Sequence, residues 1–217
     1  MTHTRTTTTT GEAVAIMAIC FGLSIAASLN AVASGFPVSG TEFTDAAMLW
    51  LLVMELLLGG IAALVLHRRG FAVPTLMPTP TLIGCAWGFA LFCVGSVAAG
   101  SLMAAFASGQ APQPIDQMTR TANLSLPVIV MVSIVNGAFE EIFLLGFLMR
   151  GLRGYGLSVA LGVMLLVRIL YHLYQGPIGT MGVLGVGFVF GAYFIRFGKL
   201  WPPVFAHVLF DLLALTR

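Results

Sequence analysis

Seven apolar stretches dominate the chain and leave it few ways to fold: Ala13–Ala33, Ala46–Leu66, Thr81–Ser108, Leu124–Met149, Leu157–Tyr174, Gly179–Ile195 and Trp201–Leu215. A helix rises ~1.5 Å per residue, so about 20 apolar residues cross a ~30 Å hydrocarbon core. Inside lipid the backbone must satisfy its own N–H and C=O groups, which a helix does within one segment. The expectation is an all-α fold, a polytopic transmembrane bundle of about seven spans. Composition agrees, with 59% hydrophobic and 8% charged residues, against ~25% charged in soluble chains.

The opening "MTHTRTTTTTG" is polar and low in complexity, so residues 1–12 are expected to form a disordered arm. Residues 13–217 then make a single transmembrane domain, since no linker-like tract follows. His3 and Arg5 ahead of the first run, and Ala31-Val32-Ala33 at its end, also fit a cleavable signal peptide. Seven of the ten Lys/Arg residues (Arg5, Arg68, Arg69, Arg150, Arg153, Arg196, Lys199) fall in alternate connections. By the positive-inside tendency this places the N-terminus in the cytoplasm. A net charge of +2 is too small and dispersed for a nucleic-acid partner. Cys20, Cys85 and Cys93 lie in apolar runs and suggest packing rather than a disulfide framework. Gly84/Gly88 and Gly187/Gly191 form G-x-x-x-G pairs, read here as close helix contacts. No internal repeat suggests an inverted-repeat transporter.

Seven polar residues interrupt the spans: Glu55, Glu140, Glu141, Arg168, His172, His207 and Asp211. Left unpaired, the five formally charged ones would together cost on the order of 12 kcal/mol, so they must share partners or water in a polar intramembrane cavity. Arg168/His172 and His207/Asp211 are each four apart, which puts each pair on one helix face. Adjacent helical positions diverge, so Glu140 and Glu141 cannot both point at one spot. One should stand in a reaction centre and the other beside it. Glu55 has no polar neighbour at helical spacing and is expected to be structural, bonding across helices.

"EEIFLLG" from Glu140, "RILYHLYQGP" from Arg168 and "HVLFD" from His207 together resemble the CPBP intramembrane proteases, the CAAX protease and bacteriocin-processing family. The resemblance covers about Leu124 to Leu215 and includes the flanking "LWPPVFAH". It implies an intramembrane endopeptidase acting on a membrane-associated or C-terminal peptide, sited in a bacterial plasma membrane with the lipid bilayer as its medium. Glu140 would be the general base, helped by His172, with His207 and Asp211 stabilising the oxyanion and Glu141 and Arg168 in support. One departure stands out. The family's first motif usually carries Arg four residues after the second Glu, where this chain has Leu145, while Arg168 stands where many members have Phe. The guanidinium is therefore expected to reach Glu141 from the neighbouring helix, in a bidentate pair.

With no Ser-His or Cys-His pair and no H-E-x-x-H helix, amide hydrolysis needs an activated water. Carboxylate and imidazole alone suffice for that, with no cofactor. Two His and two carboxylates also match the donors of zinc, which would make the protein a metalloprotease. A third reading, raised by Leu145, is a scaffold or immunity-type membrane protein without turnover. The depths of the motifs disagree. From their cytoplasmic ends Glu140 lies about ten residues in, His207 about seven and His172 about fifteen. Either "RGYGLS" starts its helix below the surface, or the helix unwinds near Tyr171–Gly176 where it lines a cavity.

Overall fold

The computed structural model describes residues 8–36, 43–107 and 113–216. Its elements are α1 (Thr10–Ala33), α2 (Asp45–Arg68), α3 (Leu82–Phe106), the short α4 (Pro114–Arg120), α5 (Leu126–Glu141), α6 (Leu157–His172), α7 (Gly176–Phe197) and α8 (Trp201–Leu215). All regular structure among the described residues is helical. Every predicted span has its helix, and ends differ by a few residues. Among the described residues, five stretches are long and apolar enough to cross a membrane. One of them, Leu157–Phe197, holds two of the predicted spans, α6 and α7, separated by a break. At 15 residues, α8 reaches only ~22 Å at helical rise.

Local sequence sets the helix ends. Thr9 and Glu12 form a reciprocal capping box at α1, satisfying donors that the first turn leaves open. The capping box and the first turn of α1 thus fall within the stretch expected to be an arm; residues 1–7 of that arm lie outside the described residues. Thr44 and Thr81 cap α2 and α3 through their hydroxyls, and proline begins α4, α5, α7 and α8 within the first two positions, where its missing N–H does no harm.

Contacts between helix ends sort the bundle into a basic and an opposite end. At the basic end Arg69 pairs with Glu12 at 3.7 Å, Arg150 donates to the Thr75 carbonyl at 2.8 Å and Arg153 to the Ile195 carbonyl at 3.3 Å. At the opposite end Asp45 accepts the Ser125 N–H at 2.8 Å, and Gln113 accepts that of Ile178 at 2.9 Å. One large buried cluster joins α1, α2, α3, α5, α6, α7 and α8. Within it α3 packs on α7 and α8, α5 on α2 and α8, and α6 on α1 and α7. The glycine pairs sit at these crossings: a Cβ on Gly88 would lie 2.8 Å from the Pro202 carbonyl oxygen, and one on Gly187 would lie 2.9 Å from Arg168 Cδ.

Two departures from regular α-helix position the polar residues. Directly after Glu141 the chain runs as a π-helix over Ile142–Met149, with i→i+5 bonding, a form rare outside functional sites. After His172 the chain passes through a 3-10 turn, Leu173–Gln175, and swings at Gly176 (φ 86°) into α7, a backbone region suited to glycine. The expected unwinding near Tyr171–Gly176 is present and begins after His172, while α6 itself starts at Leu157, after a 3-10 turn over Leu152–Tyr155. Ser28 on α1 accepts the Tyr174 N–H at 2.8 Å, which holds the corner in place.

Candidate active site

The α/π junction puts Glu140 and Glu141 on different sides of one helix wall. Glu140 lines a cavity of about 470 Å³ and Glu141 stands behind it, fully buried. Glu141 Oε1 is the hub. It accepts from Arg168 Nη2 at 2.6 Å and lies 2.7 Å from His207 Nδ1. A carboxylate held by a guanidinium can only accept, so Nδ1 carries the hydrogen. Arg168 thus reaches Glu141 from α6, as the displaced arginine should. The pair is not bidentate: Arg168 Nε and Glu141 Oε2 are buried without hydrogen-bond partners. The guanidinium also lies over the Phe190 ring, 5.9 Å from its centroid.

His207 spans both glutamates. Its Nε2 is 3.8 Å from Glu140 Oε2 and 3.6 Å from Asp211 Oδ1. The i,i+4 spacing brings Asp211 and His207 to one face, but at 3.6 Å Asp211 is not the acceptor that orients the ring. Glu141 fills that place at Nδ1, while Asp211 accepts from Asn136 Nδ2 at 2.8 Å and stands near the opposite ring nitrogen. Four residues of spacing bring two side chains to one face but do not decide which atom each presents. His172, the last residue of α6, has Nδ1 at 2.9 Å from the Arg168 carbonyl. A carbonyl cannot donate, so Nδ1–H is the donor and Nε2 is left as the acceptor.

Two partners escaped the sequence reading. Tyr171 donates its hydroxyl to Glu140 Oε2 at 2.5 Å, and its ring stacks on Phe21 of α1 with centroids 4.8 Å apart. Asn136 precedes Glu140 by one turn and holds Asp211. A search confined to residues that carry charge near neutral pH passes over both, although Tyr171 is three positions from Arg168 and Asn136 four from Glu140. Glu55 needs a correction of another kind. It is buried and lines the cavity from α2, and its Oε2 has no hydrogen-bond partner; the expected bond across helices is missing among the described residues.

For metal binding, one oxygen of each of Glu140 and Glu141 and a nitrogen of His207 lie within 4.8 Å of one another. Their types suit zinc. His172 is not part of this group, so the expected set of two His and two carboxylates is not assembled. Arg168 already supplies the positive charge at Glu141, and a dication would have to settle beside it.

Gly187 is what lets the guanidinium in. A Cβ there would also meet Leu165 Cδ2 at 3.0 Å, so Gly187→Ala should push Arg168 off Glu141 and destabilise the fold by ~1–3 kcal/mol, as overpacking does. Gly162→Ala, on α6 with no atom within 4 Å of the added Cβ, should be neutral or stabilising by up to ~1 kcal/mol. Thermal unfolding in detergent compares the two; equal effects would remove Gly187 from the site.

Residues 122–213 match the family model described as type II CAAX prenyl endopeptidase Rce1-like. No curated protein and no solved structure matches the chain significantly.

Proposed function

We propose that the protein is an intramembrane endopeptidase of the CAAX protease family, also called CPBP, a reading supported by the family match over residues 122–213. It hydrolyses a peptide bond in a membrane-associated or C-terminal peptide, with water as nucleophile. The observation that carries this reading is the shared hydrogen-bond cluster Tyr171–Glu140 and Arg168–Glu141–His207 at the wall of a cavity walled mainly by apolar side chains. A general base must stand in reach of water and be held in one orientation, and the Tyr171 hydroxyl holds Glu140 while leaving its other oxygen for that water.

In this mechanism Glu140 takes a proton from water, whose oxygen attacks the scissile carbonyl carbon. His172, with Nε2 as acceptor, holds the water's second hydrogen. His207, fixed at Nδ1 by Glu141, turns Nε2–H toward the developing oxyanion; a preorganised donor of this kind is worth roughly 3–4 kcal/mol. Asp211, held by Asn136, balances the charge on the His207 ring. The C–N bond then breaks and Glu140 returns the proton to the leaving amine.

The test is cleavage of a peptide library by the purified chain in lipid vesicles, with membrane-permeant chelator and without. The expected result is equal turnover in both and no stoichiometric metal. The Glu140/Glu141/His207 group favours a second reading, a zinc peptidase. When bound there, zinc would acidify a water and polarise the carbonyl. Zinc lost together with activity, and restored with it, establishes that reading in place of the first.

A further inference from the structure

Four glutamates are buried among the described residues, and three have donors: Glu12 accepts the Thr9 N–H at 3.1 Å, Glu140 the Tyr171 hydroxyl and Glu141 the Arg168 guanidinium. Glu55 is the exception. It is 7% exposed, its Oε2 has no partner, and it faces the cavity from α2. A buried carboxylate without a donor is strongly disfavoured: it takes up a proton, or a donor or cation arrives to satisfy it.

The cavity indicates what arrives. Three carboxyl groups line it, those of Glu55, Glu140 and Asp211, together with His172 and His207. The guanidinium of Arg168 is not among the lining groups; it is turned onto Glu141. Among the described residues, no lysine or arginine lines the space. The rest of the α2 wall is apolar, with Ala47, Leu51, Met54 and Leu58 beside Glu55. An apolar wall ending in an unsatisfied acid fits a side chain with a methylene stem and a cationic head. We propose that Glu55 is a specificity-determining residue, which binds a lysine or arginine side chain of the peptide substrate across the cavity from Glu140. This rests on the peptidase reading for its consequence in turnover, but not for binding.

The experiment uses the full chain in vesicles and N-acetylated, fluorescently labelled apolar peptides in which one lysine is scanned through the sequence, with arginine, methionine and glutamate controls. Binding is measured on the Glu140→Gln background and cleavage on the wild-type background. At the favoured position lysine and arginine peptides should bind and be cleaved at least about tenfold better than the methionine peptide. Glu55→Gln should bring that ratio close to one, chiefly through KM, and Glu55→Lys should prefer the glutamate peptide. If Glu55→Lys does not fold, Glu55→Gln alone decides. An unacetylated arm separates a basic side chain from a free amino terminus: a preference that appears only there assigns Glu55 to the terminus and overturns the side-chain proposal. A basic preference unchanged in Glu55→Gln, or no preference in the wild type, also overturns it. Basic-selective binding without any cleavage leaves the subsite standing and rejects the peptidase; cleavage without basic selectivity does the reverse.

Discussion

Glu140→Gln is expected to lower cleavage by at least ~10²-fold while leaving the bundle folded. The amide keeps the size of the carboxyl group and can still accept the Tyr171 hydroxyl that lies 2.5 Å from Glu140 Oε2. It cannot take a proton from water, and general-base catalysis typically contributes 10²–10⁴-fold. Because Glu141 retains both Arg168 and His207, the thermal unfolding midpoint should hardly move. On the proposed mechanism the loss should fall on kcat more than KM, since there the residue acts on the reacting water rather than on the peptide. Turnover at the wild-type level would remove Glu140 from the chemistry.

The second large effect is structural in origin. Arg168 and Glu141 are 3% and 0% exposed at their side chains and bonded at 2.6 Å. Removing one member of such a pair leaves a buried charge without its partner, a loss of ~3–5 kcal/mol. Arg168→Leu should therefore lower the unfolding midpoint and, by freeing Glu141, loosen His207 as well. Adding Leu145→Arg should recover part of that loss, because position 145 lies one turn on from Glu141 and the new guanidinium would come from the position usual in the family. Recovery is expected to be partial: Leu145 is fully buried among apolar neighbours. Leu145→Arg alone should be harmful, with two guanidinium groups competing for one carboxylate. A double variant no better than Arg168→Leu would mean that the arginine has not been relocated, and would turn Leu145 into evidence for a scaffold without turnover.

Hydropathy made the spans legible because membrane thickness fixes the length of an apolar run. It was silent about hydrogen-bond register. "IFLLGFLM" has the composition of any apolar helix, so the π segment after Glu141 could not be told from a continuation of α5. The break after His172 was visible only as a conflict of depths, because an apolar run that bends is composed like one that does not. Charged residues announced themselves, since lipid makes them costly, and the Arg168–Glu141 pair followed from that cost. Tyr171 and Asn136 carry no charge and raised no such alarm. Glu55 raised it, but isolation in sequence says nothing of what lies across the bundle, and only packing α2 on α5 brings it to the cavity.

The cavity walls come from two parts of the chain with different standing. Glu140, His172, His207 and Asp211 lie inside the matched segment 122–213, whereas Phe21, Ser24, Trp50, Met54 and Glu55 belong to α1 and α2, ahead of it. Among the described residues the two parts are tied by the Tyr174 N–H on Ser28, the Asp45–Ser125 bond, the Asn123 N–H on the Phe43 carbonyl and the contact between the Thr10 and Tyr155 hydroxyls. The first two helices are packed into the common core, yet they carry none of the hydrogen bonds of the Glu140 cluster that they face. Exchanging the cavity-facing Ser24, Trp50, Met54 and Glu55, with the buried residues of α1 and α2 kept, is expected to recast the shape and charge of the space opposite the Glu140 cluster. Retargeting this protein is a matter of exchanging walls rather than redesigning chemistry.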